Sequence, residues 1–146
     1  MRMCLTHRRT VVQLANKLVE DNEKDKALEV LDYCSDHIPS TNVPHDFQSY
    51  SHLMAECYYQ LGEQEKGDEI SLELADKSAD YIDWTLSLSD KNLPNALSSL
   101  SYHFSMLRNA IAIMGQYDSV HVDDYMQRQK VYAKMLESRI QKIKNQ

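Results

Sequence analysis

The histidine and carboxylate side chains are the groups in this chain whose chemistry suits holding a metal ion or moving a proton. The chain carries six histidines, at His7, His37, His45, His52, His103 and His121. None of them falls in the HxxxH or HExxH spacing that places two metal ligands on one helix face. The stretch HVDD at 121–124 offers three possible ligands close together, but successive residues near a helix start point in different directions. Its two aspartates instead suit the positive end of a helix dipole, so we expect no metal site and no cofactor.

Catalytic motifs do not occur in the sequence. It contains no GxSxG, no GxGxxG and no phosphate-binding P-loop pattern. Paired carboxylates such as Glu63/Glu65 and Asp80/Asp83 suit solvated helix faces, whereas hydrolysis would need them converging in a cleft that no pattern predicts. We therefore expect that this chain alone is not an enzyme.

The cysteines are the remaining reactive side chains. Cys4, Cys34 and Cys57 form no CxxC pair, which argues against a zinc ribbon or a thioredoxin-like motif. Cys34 and Cys57 fall among apolar positions with helical spacing. We expect them to act as small buried hydrophobic side chains rather than as a disulfide or as reactive thiols.

Charge and hydropathy exclude further classes of protein. The net charge is −6 and no stripe of Lys and Arg is visible, so the electrostatic attraction that holds nucleic acid is missing. No apolar run approaches the roughly 20 residues of a membrane helix. The charged start MRMCLTHRRT is not followed by the apolar stretch of a signal peptide. We expect a soluble chain that neither binds nucleic acid nor inserts into a membrane.

The elements that carry these residues are predicted to be helices throughout. Only three Gly and three Pro occur, too few for the many turns of an all-β fold. Helical spacing of apolar residues predicts six segments: about 4–21, a second helix with apolar positions from 27 to 34, about 45–61, 63–88 as either one helix or two, 94–115, and about 120–144. The segment 35–46 is predicted to be a connection. Pro94 suits the first turn of a helix, and Gly62 suits the left-handed position after one.

The spacing of small and large apolar residues predicts a helical repeat. Ala15 and Ala27 are twelve residues apart, and Pro39 follows after another twelve. Apolar residues lie before and between them, at Val11, Leu14, Leu18, Leu31 and Cys34. This pattern is typical of the tetratricopeptide repeat, a helix–turn–helix unit in which small residues let two helices cross closely.

A second, fainter copy follows forty residues later. Ala55 and Gly67 are again twelve apart, and the stretch GEQEKGDEI repeats NEKDKALEV. Ser71 stands where the first copy has Leu31, so this repeat is irregular. We expect an all-α fold, with two irregular tetratricopeptide-like hairpins followed by a long helical hairpin. The whole chain is predicted to be one helical domain, with the hairpins at 5–76 and long helices packing on them at 77–146.

A peptide groove is the functional site that this architecture favours. In tetratricopeptide arrays, outward positions of the first helix of each repeat line a concave surface, where an asparagine often holds a peptide backbone. Spacing places the residue equivalent to that asparagine at Asn16. The predicted contact residues are Arg9, Val12, Asn16 and Val19 in the first copy and Ser49, His52, Glu56 and Tyr59 in the second.

A longer stretch resembles a more specific family. The run MRM…LANKLVEDNEKDKALEVLDYCSDHIPSTNVPHDF…AECYYQLGEQEKGDEI resembles the C-terminal region of a bacterial family of large membrane proteins. Those proteins begin with a multi-span module like that of protein O-mannosyltransferases, and they are often labelled O-GlcNAc-transferase-like. The resemblance covers about residues 1–90. This chain departs from the family pattern at Asn22-Glu23, His45 and Gly67, where the family has Gly-Lys, tyrosine and alanine.

The resemblance implies a non-catalytic, extramembrane tail of a glycosyltransferase-like membrane protein, on the periplasmic side of the inner membrane. Its partner would be a protein or peptide, including the membrane module of its own full-length chain. Two alternatives stay open. The domain binds a sugar or lipid-linked donor, with Tyr81 and Trp84 as the platform, or it is a free soluble adaptor, which would allow a cytoplasmic location.

Overall fold

Helix-forming residues fill nearly the whole chain, and the computed structural model, which describes residues 2–145, is helical throughout. It contains α1 (Arg2–Glu20), α2 (Lys24–His37), α3 (Ser51–Gln60), α4 (Gln64–Ser87), α5 (Leu93–Gln116) and α6 (Val122–Lys144), with a 3-10 turn at Phe47–Ser49. No strand occurs in this range, and the predicted all-α class is confirmed. None of these helices combines the length and the apolar character that crossing a membrane requires.

The chain divides into two compact units. The first ends at Leu74 and the second begins at Ala75, so the boundary falls within α4. This helix runs from Gln64 to Ser87 without interruption, which answers whether the segment forms one helix or two. Each unit is described separately below.

The first unit contains two helix–turn–helix hairpins: hairpin 1 is α1–α2, and hairpin 2 is α3 with the part of α4 up to Leu74. Within hairpin 1, α1 packs against α2. It also packs against α3 of hairpin 2. The small residues that the repeat pattern singles out, Ala15, Ala27 and Ala55, are completely buried. Their burial is expected where helices cross closely, because a larger side chain would push the backbones apart.

The start of α3 differs from its prediction. Spacing predicted a helix from about residue 45, whereas α3 begins only at Ser51. A 3-10 turn precedes it, capped by the Asp46 carboxylate that accepts from Gln48 N at 2.7 Å, and Tyr50 then adopts a left-handed conformation with φ 61°. The left-handed residue breaks the helical path, so apolar spacing alone placed the helix start too early.

A buried arginine fastens the loop between the hairpins. Arg8 is fully buried, and its guanidinium donates to the carbonyl oxygens of Ile38 (2.9 Å), Val43 (2.6 Å) and Pro44 (3.0 Å). These bonds satisfy carbonyl groups that no helix or strand would otherwise pair. The Arg8 side chain therefore ties the loop to α1 at three carbonyl groups.

The second unit contains α5, α6 and the part of α4 from Ala75 onward. Side chains of α6 bond to α4 along one stripe: Tyr125 donates to Asp76, and Tyr132 donates to Asp83 at 2.7 Å. Arg139 donates to the carbonyl oxygen of Leu86 and pairs with Asp90. These polar contacts supplement a core that includes Leu100, Leu107, Met114, Tyr125 and Tyr132.

The expected role of the two central cysteines is confirmed. Cys34 and Cys57 are free and buried. Burial raises the pKa of both thiols, for Cys57 to about 12, because the thiolate form is disfavoured away from water. They fill space as small hydrophobic side chains.

Candidate peptide-binding surface

The exposed sides of α1 and α3 carry five of the eight predicted contact residues. Since α1 and α3 pack side by side, residues on their outer faces share one surface. We call this the α1–α3 surface and define it by Arg9, Asn16, Val19, His52 and Glu56, all of which keep solvent exposure.

The other three predicted contacts are buried, which corrects the assignment from spacing. Val12 and Ser49 are fully buried and Tyr59 is 6% exposed. Ser49 belongs to the 3-10 turn rather than to α3, and its hydroxyl donates to the Asp46 carbonyl oxygen at 2.9 Å. The Tyr59 ring lies over Gly67. Spacing identifies residues on the first helix of a repeat, but it does not show where that helix begins. It also does not show that the absence of a side chain at Gly67 leaves space for the Tyr59 ring.

Aromatic rings surround the Arg9 end of the surface. The Arg9 guanidinium lies 4.5 Å from the centroid of the Tyr50 ring, a cation–π contact that fixes the cation without neutralising it. His52 stacks on Phe47 at 5.2 Å and meets Tyr50 edge to face at 5.9 Å. Burial lowers the pKa of His52, so its imidazole is neutral near pH 7.

His52 has unused hydrogen-bonding capacity. Its Nδ1 atom is buried and has no hydrogen-bond partner among the described residues. A neutral imidazole can donate from one ring nitrogen and accept at the other, so His52 can make a further hydrogen bond. Because His52 and Arg9 both contact Tyr50, they belong to one local cluster.

Asn16 bridges α1 and α3 at the middle of the surface. Its amide Nδ2 donates to Glu20 Oε1 at 3.0 Å, and its Oδ1 accepts from the Cys57 thiol at 3.9 Å. Nearby on α3, Glu56 makes no hydrogen bond or ion pair within residues 2–145, and burial raises the pKa of its carboxyl group. A half-buried carboxylate without a donor is the kind of group that a ligand can stabilise.

A hollow extends the surface at the start of α1. It has a volume of about 390 Å³ and is lined by Arg2, Leu5, Thr6, Arg9 and Gln48. Neither arginine forms an ion pair with a carboxylate of the described chain. The hollow therefore suits a negatively charged or carbonyl-rich group, which Arg side chains bind with several donors at once.

A second cleft, also of about 390 Å³, lies beside Tyr58 and contains groups that bond to one another. The Tyr58 hydroxyl donates to Asp32 Oδ1 at 3.1 Å and shares a hydrogen bond with Ser35 at 3.0 Å. Lys66 pairs with the same carboxylate at 2.8 Å. Since the hydroxyl, the ammonium and the carboxylate already satisfy one another, this cleft ties α2 to hairpin 2 and is a weaker candidate for a ligand. Sequence reasoning missed this cleft.

The chemistry that these residues offer is recognition. Arg9 supplies donors, Glu56 supplies acceptors and the neutral His52 can supply either. No group of three or more metal-ligand types converges anywhere in the described range 2–145.

Comparisons with known proteins found no relative of this chain. No family model matches the chain, and neither the curated proteins nor the solved structures contain a similar one.

Proposed function

We propose that this chain is a non-catalytic helical interaction domain whose α1–α3 surface binds an extended peptide or loop of a protein partner. One observation carries the proposal. Three polar side chains on that surface, Arg9, His52 and Glu56, keep hydrogen-bonding groups that the described chain does not use. A peptide backbone, with alternating N–H and C=O groups, complements such a set of donors and acceptors.

The repeated hairpin supports a surface of this kind. Hydrogen bonds at the turns of hairpins 1 and 2 recur at residues forty apart, such as Glu23 N to Leu18 O (2.8 Å) and Glu63 N to Tyr58 O (2.9 Å). Stacked copies of one hairpin present equivalent helix faces side by side. An extended ligand can then contact α1 and α3 in the same way, one after the other.

The proposed biological setting comes from the family resemblance. In that setting the domain is the extramembrane tail of a glycosyltransferase-like membrane protein, on the periplasmic side. It would bind the acceptor protein or the membrane module of its own chain. An immunoblot of fractionated native cells tests this point: a large band in the membrane fraction supports it, and a soluble band of the size of this chain supports a free adaptor instead.

Peptide binding can be tested without knowing the partner. Random peptides displayed on phage would be selected against the purified chain, and the affinities of selected peptides would be measured by fluorescence anisotropy. We expect Arg9→Ala and Asn16→Ala each to weaken binding about tenfold, the effect of losing one or two charge-assisted or buried hydrogen bonds. Lys24→Ala, at an exposed site of α2, is the matched control. Selected peptides that bind all variants equally would place the binding site elsewhere.

A second candidate function rests on an aromatic cluster in the second unit. Tyr81 stacks on His103 at 3.8 Å, Trp84 lies 5.4 Å from Tyr81, and Tyr102 meets His103 edge to face at 5.3 Å. Trp84 is 54% exposed. Exposed aromatic rings stack on the apolar faces of sugars, which favours the sugar-binding alternative. Trp84 is the single tryptophan of the chain, so its fluorescence would report directly on titration with mannose or N-acetylglucosamine, and an unchanged spectrum together with no calorimetric heat would reject this candidate.

A further inference from the structure

A groove between α5 and α6 is an apolar feature of the second unit that the proposed function leaves unused. One part, of about 480 Å³, is lined by Phe104, Arg108, Ala133, Leu136, Glu137, Ile140, Gln141 and Lys144. The next part, of about 170 Å³, is lined by Leu93, Pro94, Leu97, Ile140, Ile143 and Lys144. Since Ile140 and Lys144 belong to both parts, they form one channel, which we call the α5–α6 groove.

Along α5, apolar residues recur with the alternating spacing of a packed seam, at Leu97, Leu100, Phe104, Leu107, Ile111 and Met114. Leu100, Leu107 and Met114 of the α5 seam are indeed buried, but Leu97 is 37% exposed and Phe104 is only half-buried. On α6, Tyr132 and Arg139 bond to α4. Ile140 of the groove directly follows Arg139, and one residue is about 100° around a helix, so Ile140 lies to the side of the stripe that bonds to α4.

The shape of the groove fits a helix. Along α5 it extends from Leu93 to Arg108, about 22 Å at 1.5 Å per residue, or roughly four helical turns. Its apolar side chains on α6, Leu136, Ile140 and Ile143, have the spacing of ridges that receive another helix. Amphipathic helices commonly bind by laying an apolar face into such a groove.

The charge of the groove identifies the kind of helix. Although the whole chain carries a net charge of −6, the groove has two cations, Arg108 and Lys144, and one anion, Glu137. Neither Arg108 nor Lys144 forms an ion pair within the described chain. By contrast, Arg139 and Lys142, on the same half of α6, are both paired with Asp90. Unpaired cations beside an apolar floor favour a ligand with carboxylates flanking its apolar face.

The same charges argue against a second copy of this chain. A symmetric dimer formed groove to groove would bring the same patch together from both sides. Each side would then carry the two cations Arg108 and Lys144 against one anion, Glu137, so cations would stay in excess across the interface. We propose that the α5–α6 groove binds an acidic amphipathic helix of another protein.

Synthetic helices of about four turns provide the test. One peptide carries leucines on one face with glutamates beside them, and its counterpart has lysine at every glutamate position. Binding of each labelled peptide to the full chain would be followed by fluorescence anisotropy at low and at physiological salt. We expect the acidic peptide to bind about tenfold more tightly than the basic one, with a difference that shrinks as salt is added.

Charge reversal in the protein makes the test specific to the groove. The double variant Arg108→Glu/Lys144→Glu should prefer the basic peptide. The control Lys130→Glu/Lys134→Glu, which changes the net charge of the chain equally at exposed sites outside the groove lining, should keep the original preference. Leu97→Glu should weaken both peptides, and circular dichroism would verify that each variant is folded.

Several results would overturn the proposal. Equal binding of both peptides, no binding of either, or an equal response to the two double variants would each contradict it. Concentration-dependent dimerisation that Leu97→Glu abolishes would identify a second copy as the occupant. Binding of the full chain to phosphatidylglycerol vesicles in preference to the acidic peptide, lost in Arg108→Glu/Lys144→Glu, would identify a lipid surface as the occupant instead.

Discussion

Hairpin 1 and hairpin 2 have the same backbone geometry at their turns, which we call the frame. They differ in the side chains that fill the space between their helices. In both, the turn residue in the left-handed region lies at the same place: Asn22 has φ 61° and Gly62 has φ 86°. Four turn hydrogen bonds of hairpin 1 have partners in hairpin 2 forty residues later, with lengths within 0.1 Å of each other; one pair is Asp21 N to Lys17 O and Leu61 N to Cys57 O, both 3.0 Å. The frame is therefore set by local turn geometry.

The interiors differ at three linked positions. Hairpin 1 has Val19, Ala27 and Leu31, and hairpin 2 has Tyr59, Gly67 and Ser71 at the positions forty residues later. The large Tyr59 ring occupies the space beside Gly67. Its hydroxyl donates to Asp68 at 2.8 Å and lies within hydrogen-bond distance of the Ser71 hydroxyl, at 3.2 Å. One large residue is thus accommodated by two smaller ones, which preserves the packed volume. The second copy looks irregular in sequence because its changes compensate one another.

The hairpins also differ at their entry. Arg8 of hairpin 1 is buried and holds the loop carbonyls, whereas Gln48, forty residues later, is exposed. The frame therefore does not require a cation at this position. The connecting loop requires it, because its carbonyl groups need donors.

The largest expected effect is the loss of this arginine. Arg8→Leu would leave the carbonyl oxygens of Ile38, Val43 and Pro44 without their donor. We expect the free energy of unfolding to fall by about 3–4 kcal/mol, since several buried acceptors become unsatisfied together. Urea denaturation measures it, with Gln48→Leu as the matched control at the equivalent exposed position. Equal effects of the two variants would show that the loop does not depend on Arg8.

The next effect concerns pH. It distinguishes the two hairpins at the positions one turn before Arg8 and Gln48, which are Leu5 in hairpin 1 and His45 before hairpin 2. Burial, with a smaller contribution from Arg8, lowers the pKa of His45 to about 4. Between pH 6.5 and 4 the unfolded chain therefore binds a proton that the folded chain does not. Stability is complete above pH 6.5 and falls towards pH 4, by up to about 3 kcal/mol.

Replacing His45 with the residue of hairpin 1 isolates this contribution. In His45→Leu, stability measured by urea denaturation should depend less on pH between 6.5 and 4, even though the hydrogen bond from His45 to Ser51 is lost. His52, whose pKa is also lowered, is present in both proteins and cancels in the difference. Parallel pH profiles would contradict the assignment to His45.

A smaller effect is expected at the helix crossing. A methyl group added at Gly67 would lie 2.6 Å from two carbon atoms of the Tyr59 ring. We expect Gly67→Ala to destabilise the chain by about 1–2 kcal/mol, because overpacking outweighs the better helix propensity of alanine. The opposite change at the equivalent position of hairpin 1, Ala27→Gly, should also destabilise the chain. Glycine has a lower helix propensity than alanine, and the lost methyl group leaves a small cavity. Thermal unfolding would detect both, and a stabilised Gly67→Ala protein would show that the ring moves aside freely.

The smallest effect lies in the shared turn. Nothing lies within 4 Å of a methyl group at Gly62, so Gly62→Ala tests the left-handed backbone alone. We expect a loss of about 1 kcal/mol, and a smaller one for Gly62→Asn, which copies the residue of hairpin 1. If Gly62→Ala were neutral in urea denaturation, the turn would tolerate another conformation and the frame would not be set locally.

Much of the fold could be predicted from the sequence because it depends on local signals. Helical spacing, Pro94 at a helix start and Gly62 at a helix end identify the elements. The buried alanines follow from the repeat pattern. The start of α3 could not be predicted, because the left-handed Tyr50 and the buried His45 depend on packing around the loop.

The candidate site was predictable only in part. Spacing finds which residues face outward from a regular helix, and this holds for Arg9, Asn16 and Glu56. It does not reveal that the Tyr59 ring turns inward, since this depends on Gly67. A signal for Arg8 was present, because it lies four residues before the buried Val12 on the same helix face, but a charged residue there is normally assigned to solvent.

The most direct measurement of the claim that one frame is packed in two ways is a double-mutant cycle between Tyr59 and Gly67. Urea denaturation would give the unfolding free energies of the parent chain, Tyr59→Val, Gly67→Ala and the double variant. We predict that Gly67→Ala destabilises the parent but stabilises the Tyr59→Val protein, with a coupling energy of about 2 kcal/mol. Additive effects, within about 0.5 kcal/mol, would show that the two residues are independent and would contradict the account.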